Sequence, residues 1–292
     1  MPKSKIALGT VQFGLPYGIT NQAGQTSPEE AVKILSLAKN AEIDVLDTAI
    51  GYGDSEQVLG ELGFEGFNVV TKLPALPIDL VDVDQWVTQQ IARSRQRLKA
   101  SSLYAVLLHR SADLLCDSGE GLARSLQMLK EGGVVQKVGV SIYDPDELTP
   151  IERILDIDLL QAPLNVIDRR LQTKGWLHRL KDAGVEIHTR SAFLQGLLLM
   201  SRNAIPPKFE RWSRLWDDWH EFLSQIGTSA LSACLSYPLS LKEIDRVVVG
   251  VDSSQQLKDI IVAAEGIDHS MDTSFMVSSD KRLINPSHWS AL

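Results

Sequence analysis

The sequence predicts a closed (β/α)8 barrel, and three observations carry that prediction. Short apolar runs alternate with amphipathic helical stretches about eight times along the 292 residues, the pattern of parallel strands joined by right-handed crossovers. No linker, composition shift, low-complexity segment or close repeat divides the series, so residues 1–292 read as one barrel domain. The Gly-rich turn that a doubly wound sheet places after its first strand is missing: Gly9 and Gly14 do not spell G-x-G-x-x-G, and Gly51-x-Gly53 lacks the third glycine. The arrangement left is the TIM barrel, whose chemistry sits at the carboxyl ends of the strands.

The elements follow in order. Residues 5–10 form the first strand and run into Val11-Gln12-Phe13-Gly14 and a Gly/Pro/Tyr turn. Ser27-Pro28-Glu29-Glu30 starts a helix, with serine as N-cap, proline at the first position and acids in the first turn. Ala31, Ile34, Leu35 and Ala38 then recur at helical spacing. The apolar run 43–46 is the second strand, driving into Asp47 and a loop in which Gly51 and Gly53 flank Tyr52, and residues 55–61 open its helix. Glycines on both sides free the backbone to aim the phenol.

Residues 68–73 are the third strand, closed by Pro74, and a long helix spans 82–99 on apolar Val83, Val87, Ile91 and Leu98. The fourth strand, 103–109, ends in His109, with a helix over 119–131. The fifth strand is 136–142, and Asp144-Pro145-Asp146-Glu147 caps the next helix. Residues 159–165 are the sixth strand, with Pro163 at its exit, and 175–183 are helical. The seventh strand is 185–191 and the eighth 246–251, after which Ser253-Ser254-Gln255-Gln256-Leu257 opens a last helix. Residues 204–226 break the rhythm with Pro206-Pro207 and three of the six tryptophans, Trp212, Trp216 and Trp219, near helical spacing with Phe222. They read as an extra amphipathic helix burying its aromatic face on the barrel or a neighbouring subunit, ahead of a helix over 231–237. A short tail, 266–292, follows the barrel.

A formal charge of −8 and a pI near 5.3 argue against nucleic acid or an anionic membrane surface as the main partner. No run approaches the ~18 apolar residues of a membrane span, and the start turns from charge to strand too fast for a signal peptide. Cys116 and Cys234 sit far apart without a CxxC pairing, so neither a zinc site nor a disulfide framework is indicated. The expected setting is the reducing cytoplasm.

Four polar groups, Asp47, Tyr52, Lys72 and His109, fall at or just past the ends of strands two, three and four. In a closed barrel these ends converge on one mouth. A lysine ending an apolar strand needs a partner, and Asp47 is the one at hand. An ammonium near a phenol favours the phenolate, so Lys72 is expected to lower the pKa of Tyr52 and fit it to donate a proton to a carbonyl oxygen. His109 could hydrogen-bond the same oxygen. Taken singly, Lys72 could instead be a Schiff-base lysine and His109 a core histidine.

At this point the sequence resembles the aldo-keto reductase superfamily. The matching stretches are LGTVQFG at strand one, DTAIGYGDSE from Asp47 to Glu56, Thr71-Lys72, LLH ending at His109, GVS ending at Ser141, QAPLNVIDRR from Gln161 and FLQGLL from Phe193. The resemblance implies a barrel that binds a nicotinamide cofactor without a Rossmann domain and reduces aldehydes or ketones. It assigns catalysis to Asp47, Tyr52, Lys72 and His109, with Tyr52 the proton donor. It places Ser141 and Gln161 on the nicotinamide carboxamide, and Ser191, Leu194 and Gly196 along the pyrophosphate. Ser253 and Ser254 open a helix whose N–H groups are offered to phosphate, and no metal is implied.

Three positions depart from the family pattern. Ile142 stands where many members have asparagine. Arg190 stands where an aromatic residue stacks on the nicotinamide, a role a planar guanidinium can take. Gly250 and Gln256 stand where NADPH-preferring members hold the 2′-phosphate with lysine and arginine, leaving Lys258 as a substitute. NADP(H) is the expected cofactor, with NAD(H) the alternative. Two other readings compete: a cofactor-binding barrel that serves as a weakly active regulatory or scaffold subunit, and a cofactor-free isomerase or lyase using Lys72 as a Schiff base. The expected substrate is a small carbonyl compound, sugar-like or aromatic.

Overall fold

The computed structural model describes residues 4–21, 23–267 and 271–292. Residues 1–3, at the predicted start, and 268–270, in the predicted tail, lie outside the described residues. The strands are β1 (Ile6–Gly9), β2 (Val45–Asp47), β3 (Asn68–Leu73), β4 (Leu103–Leu108), β5 (Val135–Ser141), β6 (Leu159–Pro163), β7 (Glu186–Arg190) and β8 (Arg246–Gly250). They pair in parallel in sequence order, and β1 closes on β8 through Ile6–Val247 and Gly9–Gly250. The predicted barrel is the observed one.

The helices that matter for the site are α1 (Pro28–Asn40), α2 (Ser55–Leu62), α3 (Val83–Leu98), α4 (Gly119–Glu131), α5 (Leu148–Ile151), α6 (Trp176–Asp182), α7 (Ser213–Ile226), α8 (Ala230–Ser240) and α9 (Ser254–Glu265). Their starts follow the side-chain chemistry. Ser27 Oγ accepts the Glu30 N–H at α1, Asp82 caps α3, and Asp144 forms a capping box with Glu147 ahead of α5. Pro163 ends β6, where a missing N–H costs nothing.

The apolar residues fall into two layers. The larger lies between the barrel and its helices; the smaller fills the barrel interior with Ala7, Val45, Val70, Ala105, Leu107 and Leu159. Side chains alternate faces along a strand, so the residue two places after an interior one also points inward, nearer the carboxyl end. Val45 leads to Asp47, Val70 to Lys72, Leu107 to His109 and Leu159 to Gln161. This parity, continued through the apolar interior, delivers the polar set to the mouth.

The tryptophan-rich segment packs on its own chain. Trp216 and Trp219 are buried, and their indole N–H groups donate to Phe209 O at 2.9 Å and Leu198 O at 3.1 Å. Trp212 reaches Asp280 at 3.3 Å, and Phe209 meets Trp289 edge-on at 4.8 Å, so the turn leading into α7 and the tail clasp each other. Among the described residues, no helix is long and apolar enough to cross a membrane.

Candidate active site

A buried ion pair forms the floor. Lys72 is 0% exposed and its ammonium has three acceptors: Asp47 Oδ1 and Oδ2, each at 2.7 Å, and Thr48 O at 2.8 Å. Asp47 also accepts from Gln161 Nε2 at 2.7 Å. Burial pulls the Lys72 pKa below the ordinary lysine value and the charge and hydrogen bonds of Asp47 recover part of it.

Tyr52 and His109 lie at the mouth above this pair, both half-buried. Their rings meet edge to face, with centroids 5.7 Å apart and planes at 80°. Lys72 Nζ stands 5.1 Å from the centre of the phenol ring. The predicted tuning needs correction: the Tyr52 pKa is raised, first by burial and then by Asp47, while Arg190 is the cation that pulls it back. The reason lies in the hydrogen bonds, since Asp47 and Thr48 absorb the donors of Lys72. Burial and then Lys72 push His109 down to about 4, so its imidazole is neutral at pH 7.

The loop carrying Tyr52 is held by a contact that sequence patterning did not show. A Cβ on Gly14 would sit 1.9 Å from Tyr52 O, and one on Gly53, whose φ is +52°, would sit 2.4 Å from Gly14 O. Gly51 has open space around it, so of the flanking glycines only Gly53 is required. Behind the loop, Glu56 is a second buried hub. Its Oε1 accepts from Thr71 and Ser94, each at 2.6 Å, and its Oε2 from Arg97 at 2.6 Å, tying α2 to β3 and α3.

The predicted cofactor residues line the ends of β5 to β8. Ser141 and Gln161 face each other across the β5–β6 pair, with Ser141 Oγ 3.5 Å from Gln161 Oε1. That long bond leaves the Ser141 hydroxyl and the Gln161 amide oxygen open to a carboxamide, while the Gln161 amide nitrogen is held by Asp47; the buried Gln12 Oε1 has no hydrogen-bond partner among the described residues. Gln12 sits beside Gly250, where an added Cβ would lie 2.8 Å from its amide nitrogen. These groups fit the polar end of a nicotinamide.

Arg190 ends β7 beside Pro163; its guanidinium lies over the Tyr143 ring at 4.3 Å and donates to Ile142 O at 2.9 Å. In the loop that follows, Ser191, Leu194 and Gln195 hold φ of 64°, 48° and 53°, conformations costly for residues with a Cβ. Gly196 abuts Thr20, and Gln195 donates to Tyr17 at 3.0 Å, so the loop after β1 reaches across to the loop after β7.

The predicted phosphate position behaves differently. Ser253 caps α9 by accepting from Gln256 N, and Gln256 Oε1 takes the Asp252 N–H. Both the N–H and the hydroxyl of Ser254 donate to Glu30 Oε1 on α1, each at 2.6 Å. The helix start is present, yet the Ser254 and Gln256 donors are taken. Lys258 lines a shallow groove with Ser229 and Ser232.

The chain belongs to the aldo/keto reductase family, whose sequence profile matches residues 5–272. It is 31% identical over 169 residues to the 6-dehydroglucose reductase of Novosphingobium aromaticivorans, a match spanning 52% of this chain and only 53% of that protein. In fold it is similar to an aldo-keto reductase of Bacillus halodurans in its holo form, with a TM-score of 0.76 at 19% identity over 99% of this chain and 96% of that one. It is also similar to the glycerol dehydrogenase of Gluconobacter oxydans, with a TM-score of 0.69 at 21% identity over 91% and 88% of the two chains.

Proposed function

We propose that this chain reduces the aldehyde or ketone of a polyhydroxylated, sugar-like substrate with a nicotinamide cofactor, using Tyr52 as proton donor. The observation that carries the reading is the Tyr52–His109 pair standing directly over the Asp47–Lys72 pair. When bound, the nicotinamide supplies a hydride to the carbonyl carbon. Tyr52 gives its hydroxyl proton to the carbonyl oxygen and recovers one from solvent at the half-open mouth. Its raised pKa keeps it protonated beforehand. The neutral imidazole of His109 donates its N–H to the same oxygen and fixes the carbonyl plane. Lys72 acts across the phenol ring through its charge, which offsets the phenolate as it forms.

Ser141 and Gln161 would hold the carboxamide, Arg190 the ring, and Ser191, Leu194 and Gly196 the pyrophosphate. The sugar-like class draws support from a relative that is a 6-dehydroglucose reductase and a fold neighbour that is a glycerol dehydrogenase. Tyr52→Phe should cut turnover about 10²–10⁴-fold on a panel of sugar aldehydes and ketones, with cofactor binding unchanged. Full turnover in that variant would remove Tyr52 from the role.

A further inference from the structure

The occupied N-terminus of α9 carries an inference that rests on the nicotinamide reading above. The family resemblance implies that a dinucleotide held at Ser141 and Gln161 carries its adenosine ribose to the β8–α9 turn, where Gly250 and Gln256 stand. An open helix N-terminus there would welcome a 2′-phosphate. This one is closed by a carboxylate. Closure of the barrel between β1 and β8 sets α1 against α9, and Glu30 Oε1 takes both donors of Ser254 at 2.6 Å.

The charges around the turn reinforce the effect. Hydrogen bonds from Ser254 and Lys33 hold the Glu30 carboxyl down to about 2, so it is an anion across the working pH range. Asp252, held by Asn21 at 3.0 Å, sets a second carboxylate on the same turn. Lys33 pairs with Glu30 at 3.0 Å but is 65% exposed, where solvent screens it. The basic pair that would hold a phosphate is absent, with Gly250 and Gln256 in its place.

We propose that Glu30 is a specificity-determining residue that selects NAD(H) over NADP(H). Its carboxylate fills both donors of Ser254 and repels a 2′-phosphate, whereas the 2′-hydroxyl of NAD(H) can donate a hydrogen bond to it.

The test is a fluorescence titration of the full chain with NADH and NADPH. Adenosine 5′-monophosphate and adenosine 2′,5′-bisphosphate serve as competitors that report on the adenosine half alone. NADH should bind more tightly by about tenfold or more, the scale of one close like charge at a partly screened site. Glu30→Gln keeps an acceptor for Ser254 and removes only the charge; it should shrink the ratio about tenfold by improving NADPH. Glu30→Ala, which frees both donors, should shrink it at least as far. NADPH binding wild type as tightly as NADH overturns the proposal, as does a ratio unmoved in both variants. Failure of both dinucleotides to bind protein shown to be folded by circular dichroism overturns the nicotinamide reading itself, and this proposal with it.

Discussion

Replacing Lys72 with methionine should destabilise the fold far more than its single position suggests. The ammonium makes three hydrogen bonds with no solvent exposure, two of them to Asp47. Its removal leaves a carboxylate that is only 4% exposed with Gln161 Nε2 as its remaining side-chain donor. Breaking a buried pair from one side in this way costs about 3–5 kcal/mol. Much of that cost is the stranded charge, so removing the charge should relieve it. The double variant Asp47→Asn/Lys72→Met keeps an oxygen for Gln161 and should recover most of the loss, although turnover stays low. Urea unfolding followed by tryptophan fluorescence measures both differences. A single variant within about 1 kcal/mol of wild type, or a double variant no more stable than the single, would refute the view that these charges hold each other in place.

Two further perturbations probe the groups around Tyr52. His109 titrates near 4 in the fold against an ordinary value of 6.5, so the unfolded chain takes up this proton first as pH falls. Stability should therefore drop between pH 6.5 and 4, by up to about 3 kcal/mol, and the drop should vanish in His109→Gln when urea unfolding is repeated across that range. Gly14→Ala places a Cβ 1.9 Å from Tyr52 O and must push the tyrosine loop aside. It should cost about 1–3 kcal/mol of stability and lower kcat up to about 10²-fold while leaving cofactor affinity in place, as steady-state kinetics and fluorescence titration will show.

Much of this was legible in the sequence because a barrel strand has a strict period of two. The interior residues Val45, Val70 and Leu159 announce that Asp47, Lys72 and Gln161 also face inward, and the end of each apolar run marks the mouth. Local helix chemistry was equally plain, as Ser27 and Asp144 show. The tertiary approaches were not. Glu30 meets Ser254 across 224 positions only because the barrel closes, and no periodicity announces it. Gly14 resembles any turn glycine until Tyr52 O is found against it. Glu56 looks like a first-turn helix acid, while its partners Thr71, Ser94 and Arg97 lie on elements that meet only in the fold.

The same distinction explains why the tuning of Tyr52 does not follow from the order of residues. Sequence order places Lys72 beside the phenol, and proximity alone argues for a lowered pKa. The geometry gives the lysine three nearer acceptors and leaves Asp47, the carboxylate that neutralises it, close enough to oppose a phenolate. Paired in this way, Lys72 presents the phenol with much less than a full charge. The guanidinium of Arg190 is the cation whose field draws the Tyr52 pKa back down, and it does the same to the lysine and the histidine. In the proposed mechanism, a tyrosine kept protonated by burial, beside an imidazole kept neutral, offers two hydrogen-bond donors to one oxygen. On that mechanism, charge develops on the phenol only as the proton leaves, when the field of Arg190 stabilises it most.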